Sequence, residues 1–458
     1  MTNQIDTDSI ARLRSSVSGT VYERGDAGLA AEATGFNPNI IHDPAVVVAA
    51  ATEGDMAAAV RFAAENGLRV RVQATGHGAA SSITDGVLIT TRALDSVTID
   101  PETHLATLGA GVRWASVIEA AAAFGLAPIT GSSTSVGAVG YTLGGGLGPL
   151  ARSHGFSADW VRGFRVVTAE GEVVTADAST NPELFWALRG GKGGLCVVTS
   201  MTLELAPMTT IYAGSLIFEG DAIEPALRAW VEWTDTAPEQ VTSSFVFLDV
   251  PDVEFAPPPL RGKFVLSIRF AFPGDPAEGR RLAAPLRAAA PVSLDLLDEI
   301  PTTAVASIHN DPEQGGPSWI RGLMLDSIDQ GVADEFLRLV GPGAETPFVS
   351  AEIRHLGEAT HHDVPAGSSV GGRDANFAVS LIAVNPENFA HRAPHRAEAL
   401  ALALNDRISP ITNVNWSAGL VDPAAFAASW PPAILDRLAA ARAHYDPSGV
   451  FAFGPAAG

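Results

Sequence analysis

The chain has 458 residues, 47% of them hydrophobic and 17% charged, which is enough for two or three domains with large cores and too apolar for wholesale disorder. Lysine and arginine number 29 against 51 aspartates and glutamates, and the net charge of −22 repels nucleic-acid phosphates and anionic lipid, so neither is expected as a partner. One cysteine, Cys196, excludes an intramolecular disulfide and leaves thiolate metal centres short of ligands. Met1–Val21 lacks the basic start and apolar run of a signal peptide, and no apolar run reaches the ~20 residues of a membrane helix. A cytoplasmic protein is therefore expected.

In chain order, an N-terminal segment (1–36) precedes a stretch, 37–207, in which short Val/Ile/Thr-rich strands alternate with Ala-rich helices. Asp55–Asn66 reads as an amphipathic helix through Met56, Val60 and Ala63, and Val70–Val72, Val87–Thr90 and Leu105–Gly109 read as strands. Residues 208–400 change character. Ile211–Phe218, Thr242–Leu248 and Lys263–Ala271 are longer strand candidates, with helices expected at 222–235, 276–289 and 331–341. In Lys263–Ala271, Phe264, Leu266, Ile268 and Phe270 share one face. Lys263, Val265, Ser267 and Arg269 share the other, so one face meets a core and the other water or a cavity. Phe348–Leu356 behaves similarly. Such a mixture predicts an antiparallel sheet with helices on one side. Residues 401–458 hold a helix, Ala433–His444, and a short ending.

Three glycine-dense stretches carry the chemistry. Val72-Gln73-Ala74-Thr75-Gly76-His77-Gly78-Ala79 takes a strand into a turn of small residues around one histidine; it is either a tight turn or a place where backbone N–H groups meet a phosphate. In Gly131–Gly148, six further glycines follow Gly131, a density that a backbone pressed against a flat ligand would require. Neither the dinucleotide fingerprint nor a Walker A motif fits there. The third stretch is Leu188-Arg189-Gly190-Gly191-Lys192-Gly193-Gly194-Leu195-Cys196, leading into a strand.

In this order and spacing the three stretches resemble the vanillyl-alcohol oxidase / p-cresol methylhydroxylase flavoproteins, in particular the berberine-bridge-enzyme-like branch. Arg152–Val161, Val166–Gly171, Asn413-Val414-Asn415-Trp416 and Tyr445–Phe451 extend the likeness over about residues 37–455. The resemblance implies an α+β fold. A two-part FAD-binding domain (37–207 with 401–458) would support a substrate domain (208–400) whose antiparallel sheet, flanked by helices, roofs the flavin. It implies FAD linked through His77. Ala74, Thr75, Gly76, Gly78, Ser133, Val136, Gly137, Gly140, Tyr141, Gly145, Gly146, Gly148, Ala158, Val197 and Asn415 are the expected cofactor neighbours.

The second flavin link of the family is a cysteine, and Ser133 stands at that position, so a single link is expected. Val136 matches a position that gates oxygen, which favours a peroxide-forming oxidase; a flavin dehydrogenase with another acceptor, or an oxygenating or cyclising enzyme, are the alternatives. Bacterial relatives of this length tailor natural products, so a small-molecule substrate and O2 are the expected partners, and the chain is expected as a monomer or homodimer.

For catalysis, Glu352 and Arg354 share one strand face, with Ile353 and His355 on the other. They are candidates for base or substrate clamp, with Arg354 lowering and burial raising the pKa of Glu352. Tyr141 is a candidate for stabilising charge on reduced flavin. His361-His362-Asp363 lacks ligand spacing, and no metal site is expected.

Overall fold

Runs such as Val46-Val47-Val48 and Val87-Leu88-Ile89 carry no polar alternation, the pattern of strands covered on both faces. In the computed structural model, which describes residues 5–79, 81–254, 258–417, 422–451 and 453–454, they form the middle of a four-stranded sheet. Its order is Thr20–Glu23, Val46–Ala49, Val87–Thr90, Val70–Gln73, the last three parallel and the first antiparallel. The helix Glu53–Glu65 covers this sheet with Met56, Val60 and Ala63 buried, as the spacing predicts. Thr52 and Asp55 form a reciprocal capping box at its start. The Asp55 carboxylate also accepts the Ser18 and Gly19 amides at 2.9 Å, which ties down the N-terminal residues.

A second sheet is antiparallel, in the order Val97–Asp100, Leu105–Gly109, Val197–Glu204, Val161–Val167, Val173–Asp177. The third and largest runs Leu294–Asp295, Thr210–Glu219, Phe264–Phe272, Thr242–Asp249, Ser350–His355, Phe377–Ala383, Trp319–Leu325, with Asp298–Pro301 also paired to Thr210–Glu219. All its neighbours are antiparallel.

Helices Ile223–Thr234, Pro276–Ala288, Gln330–Val340 and Arg392–Ala403 bury one face of this sheet. Phe264, Leu266, Ile268, Phe270 and Ile353 point into that core, as the alternation requires. Trp230 lies edge-on to Phe245 at 5.1 Å, and its indole N–H donates to Ser243 Oγ at 2.9 Å. The opposite face carries Arg269, Ser244, Glu352 and Arg354, all buried although polar.

The roof continues past residue 400: Leu404 packs in its core and Ile408 bridges Leu325. The chain then returns to the first sheet. The Val70 amide donates to the Val450 carbonyl at 2.7 Å, and Phe451 bridges Val70 in parallel. Among the described residues no helix is long and apolar enough to cross a membrane.

Candidate active site

The strand Val70–Gln73 delivers its last residues to a turn that only glycine fits. Gly76 has φ of +73°, and a Cβ there would lie 2.6 Å from the Gly35 Cα. The turn presents the half-buried imidazole of His77, stacked on Phe36 with ring centroids 3.6 Å apart. Its Nδ1 is 2.8 Å from Thr75 Oγ1 and its Nε2 is 3.3 Å from Ser135 Oγ. Ser135 Oγ is in turn 3.0 Å from Ser133 Oγ, and the Gly137 amide donates to Thr75 Oγ1 at 3.3 Å. Burial, helped by the Arg113 charge, lowers the His77 pKa to about 4. The ring is therefore neutral near pH 7 and keeps a lone pair.

Part of the glycine density in 131–148 answers to the protein's own packing. A Cβ at Gly131 or Gly146 would come within 2.8 or 2.5 Å of the Tyr141 ring, and one at Gly148 within 1.7 Å of the Thr130 carbonyl oxygen. At Gly144 it would lie 2.1 Å from Asn415 Oδ1. Gly145 has φ of +103°, and its carbonyl accepts the Ala158 amide at 2.9 Å. At Gly78 and Gly140, by contrast, a Cβ would meet nothing within 4 Å, so backbone on both loops borders open space. Ala74 touches Gly137, Val136 is half-buried against the second sheet's core, and Val197 is wholly buried, paired with Val167.

Tyr141 is partly exposed along its ring, but its hydroxyl is buried beside Ser157. Burial pushes the phenol well above its ordinary pKa, and the Arg354 charge offsets only part of this. The Tyr141 carbonyl accepts Asn415 Nδ2 at 2.8 Å, while Asn415 Oδ1 accepts Lys192 Nζ at 2.8 Å. Lys192 also donates to the Gly140 carbonyl at 2.7 Å, and burial lowers its pKa to about 8. All three glycine stretches and the returning C-terminal segment thus meet. The role of Lys192 escaped the sequence reading, although it is one of only two lysines in the chain, with Lys263.

The roof brings Glu352 and Arg354 into a buried cluster above these loops. Ser244 lies between Arg269 and Arg354 in register, and its small side chain lets Arg269 reach across to Glu352. Glu352 Oε1 is 2.9 Å from Arg269 Nη1 and 3.6 Å from His309 Nε2, and Oε2 is 3.3 Å from Arg354 Nη2. Arg354 Nη1 donates to the Leu147 carbonyl at 3.1 Å, and its guanidinium lies 5.2 Å from the Trp416 ring centre.

Burial raises the Glu352 pKa, but the charges of Arg354 and Arg269 outweigh it and hold the carboxyl well below its usual range. That answers the competition the sequence left open, and it makes Glu352 a weak proton acceptor. His309 is drawn down to about 4 by burial and the Arg269 charge. It comes from a short helical turn, Thr302–Ile308, that carried no motif, so sequence reasoning missed it.

Two loops bordering open backbone, a neutral histidine beside hydroxyls and a charged roof meet here, and the residues present fit FAD. The comparisons agree. Residues 44–177 match the FAD binding domain family. A stretch of 192 residues, 42% of this chain, is 34% identical to (R)-6-hydroxynicotine oxidase of Paenarthrobacter nicotinovorans, and it spans only 42% of that relative's length. The crystal structure of 6-hydroxy-D-nicotine oxidase from Arthrobacter nicotinovorans superposes with a TM-score of 0.82 at 23% identity, covering 99% of each chain. Glucooligosaccharide oxidase from Acremonium strictum, a protein with 6-S-cysteinyl, 8α-N1-histidyl FAD, superposes with a TM-score of 0.80 at 19% identity over 97% of this chain and 98% of that one. Residues 44–177 thus carry an FAD binding domain, and the chain as a whole shares the fold of these two oxidases.

Proposed function

We propose that the protein is an FAD-dependent oxidase of a small organic substrate, with the flavin linked once, through His77. The observation that carries this reading is the neutral imidazole of His77, placed 2.8 Å from Thr75 and 3.3 Å from Ser135, with Ser133 next in line. Bound FAD would supply two-electron oxidation of the substrate, with O2 as the final acceptor and hydrogen peroxide as the product. The residues then divide the remaining work. The Gly137 amide holds Thr75 so that its hydroxyl proton is free to face Nδ1, which leaves the Nδ1 lone pair oriented. Ser133 offers a hydroxyl that cannot form a thioether, so no second link forms. The open backbone at Gly78 and Gly140 offers close approach to a phosphate or ring edge.

Glu352 acts in this reading as the counter-ion that fixes Arg269, Arg354 and His309, since two guanidinium groups stabilise its charged form. The negative charge that develops on the substrate oxygen would be stabilised by nearby donors, with Arg354 and Tyr141 the best placed, and the proton would pass to water. Val136 keeps a small side chain over the loop, which suits O2 as the acceptor.

The test is acid precipitation of the purified protein followed by an absorbance scan, with peroxide measured during aerobic turnover of candidate alcohols. Yellow colour in the pellet, lost in His77→Ala, and one peroxide per substrate oxidised are expected. Colour retained by His77→Ala refutes the attachment site, and turnover with a dye but none in air refutes the oxidase.

A further inference from the structure

Phe36 precedes all three glycine stretches, yet its ring lies flat on the His77 imidazole, with centroids 3.6 Å apart and planes at 20°. Among the described residues it packs in none of the hydrophobic cores. A large half-buried aromatic outside every core is placed for its one ring partner. The backbone holds it there. The Phe36 amide donates to the Thr75 carbonyl at 2.9 Å, and a Cβ at Gly35 would lie 3.1 Å from the Gly76 Cα, so the two segments run in contact. Gln73 Nε2 donates to the Ala33 carbonyl at 2.9 Å and fastens the same approach.

A strap from the roof passes against Phe36. It runs from Asp311 to Ser318, between the turn that leads to His309 and the strand Trp319–Leu325. A Cβ at Gly315 would lie 2.0 Å from the Phe36 carbonyl oxygen, so a side chain there has no room. Asp311 accepts the Ser132 hydroxyl at 2.7 Å, and Asn37 Nδ2 donates to the Ser318 carbonyl at 3.0 Å. Among the described residues the strap makes no backbone–backbone hydrogen bond, so these side-chain pairs tie it to the cofactor-binding half.

His77 is thus held at its edge by Thr75 and Ser135 and on a ring face by Phe36. The hydroxyls satisfy the nitrogens, but a flat ring in contact is what resists rotation of the imidazole about its last side-chain bond. Bond formation depends steeply on such alignment.

We propose that Phe36 is a positioning residue for flavin attachment: stacked on His77 and backed by the strap 311–318, it keeps the imidazole in one orientation, with a nitrogen aimed when the flavin 8α-methyl arrives. This deepens the function proposed above and rests on its His77 link. Attachment exchanges one C–H bond of the methyl and the imidazole N–H for a C–N bond. The two hydrogens and two electrons released leave as hydrogen peroxide when O2 reoxidises the flavin. Phe36 takes up neither proton nor electron and acts through the angle of His77.

The test compares wild type, Phe36→Ala, Phe36→Leu and Phe36→Tyr as purified yellow proteins. Total flavin is read from absorbance per protein, and the acid-stable fraction from the precipitated pellet, at once and after a day in air with added FAD. Expected is an acid-stable fraction at least threefold below wild type in Phe36→Ala and Phe36→Leu, rising during the incubation, with more than half of the total flavin kept and Phe36→Tyr close to wild type. A merely structural role would instead lower total flavin and leave the acid-stable share of it unchanged. Phe36→Leu fills the space without a flat ring and covers the case in which alanine does not fold. A wild-type acid-stable fraction in Phe36→Leu overturns the proposal and leaves the His77 link standing. A colourless wild-type pellet removes the link itself, and the positioning role with it.

Discussion

Replacing Glu352 by alanine isolates the physics of the roof. The carboxylate is buried and stands 2.9 Å from Arg269, 3.3 Å from Arg354 and 3.6 Å from His309. Its removal leaves two guanidinium groups in a low-dielectric cluster with no counter-charge, and breaking a buried pair in this way costs about 3–5 kcal/mol. For a unit of some 200 residues this lowers the thermal midpoint by roughly 6–20 °C. Glu352→Gln keeps shape and one acceptor, so its loss should be smaller. Arg269→Ala should be nearly as harmful alone, yet add little to Glu352→Ala, with a coupling above about 1 kcal/mol in the double-mutant cycle.

The acid dependence has a defined sign. The Glu352 pKa is lower in the folded state, so its contribution is complete above the ordinary carboxylate range and is lost as pH falls toward the folded value. Calorimetric scans of wild type and the three variants between pH 4 and 8 provide the assay. A Glu352→Ala midpoint within a degree or two of wild type would refute the claim that the cluster is electrostatically closed.

Other outcomes follow from the same geometry. Gly144→Ala must push Asn415 away from a Cβ that would sit 2.1 Å from its Oδ1; we expect flavin content to fall by more than half while the circular dichroism stays native, measured by absorbance per protein. His309 and His355 have folded pKa values of about 4 and about 3 against ~6.5 in the unfolded chain. Stability should therefore be full above pH 6.5 and fall between pH 6.5 and 4 as the unfolded chain alone takes up protons; His355→Gln should flatten that slope by about one proton. Trp230→Ala removes a wholly buried side chain and the donor to Ser243, and urea unfolding should show a loss of about 3–5 kcal/mol.

The roof strands were legible because their chemistry alternates. Phe264, Leu266, Ile268 and Phe270 announce a core face, and Arg269 falls on the opposite one, where it reaches Glu352. Glu352 and Arg354 were likewise legible as a pair sharing a face, but which charge wins depends on Arg269 arriving from two strands away, a matter of register that periodicity does not carry. The glycine loop was legible as a motif and only half legible in cause: the clashes at Gly131, Gly146 and Gly148 come from Tyr141 and Thr130, neighbours that no spacing rule names. His309 and Lys192 stayed silent because each owes its place to a long-range meeting rather than to a local pattern. Element boundaries shifted by a residue or two, as with the helix expected at 331–341 and found at Gln330–Val340, where Asp329 caps the start by accepting from the Val332 amide.

The bridge between Val70 and Phe451 sets an order of events for making this protein. The strand that leads to the His77 turn pairs along its length with Val87–Thr90, made soon after it, while the Phe451 that bridges Val70, and the Asn415 that holds the Tyr141 loop, emerge some 270 to 380 residues later. Contacts so distant in sequence form late and slowly. The tail therefore adds its contacts last, to the half of the protein that was made first.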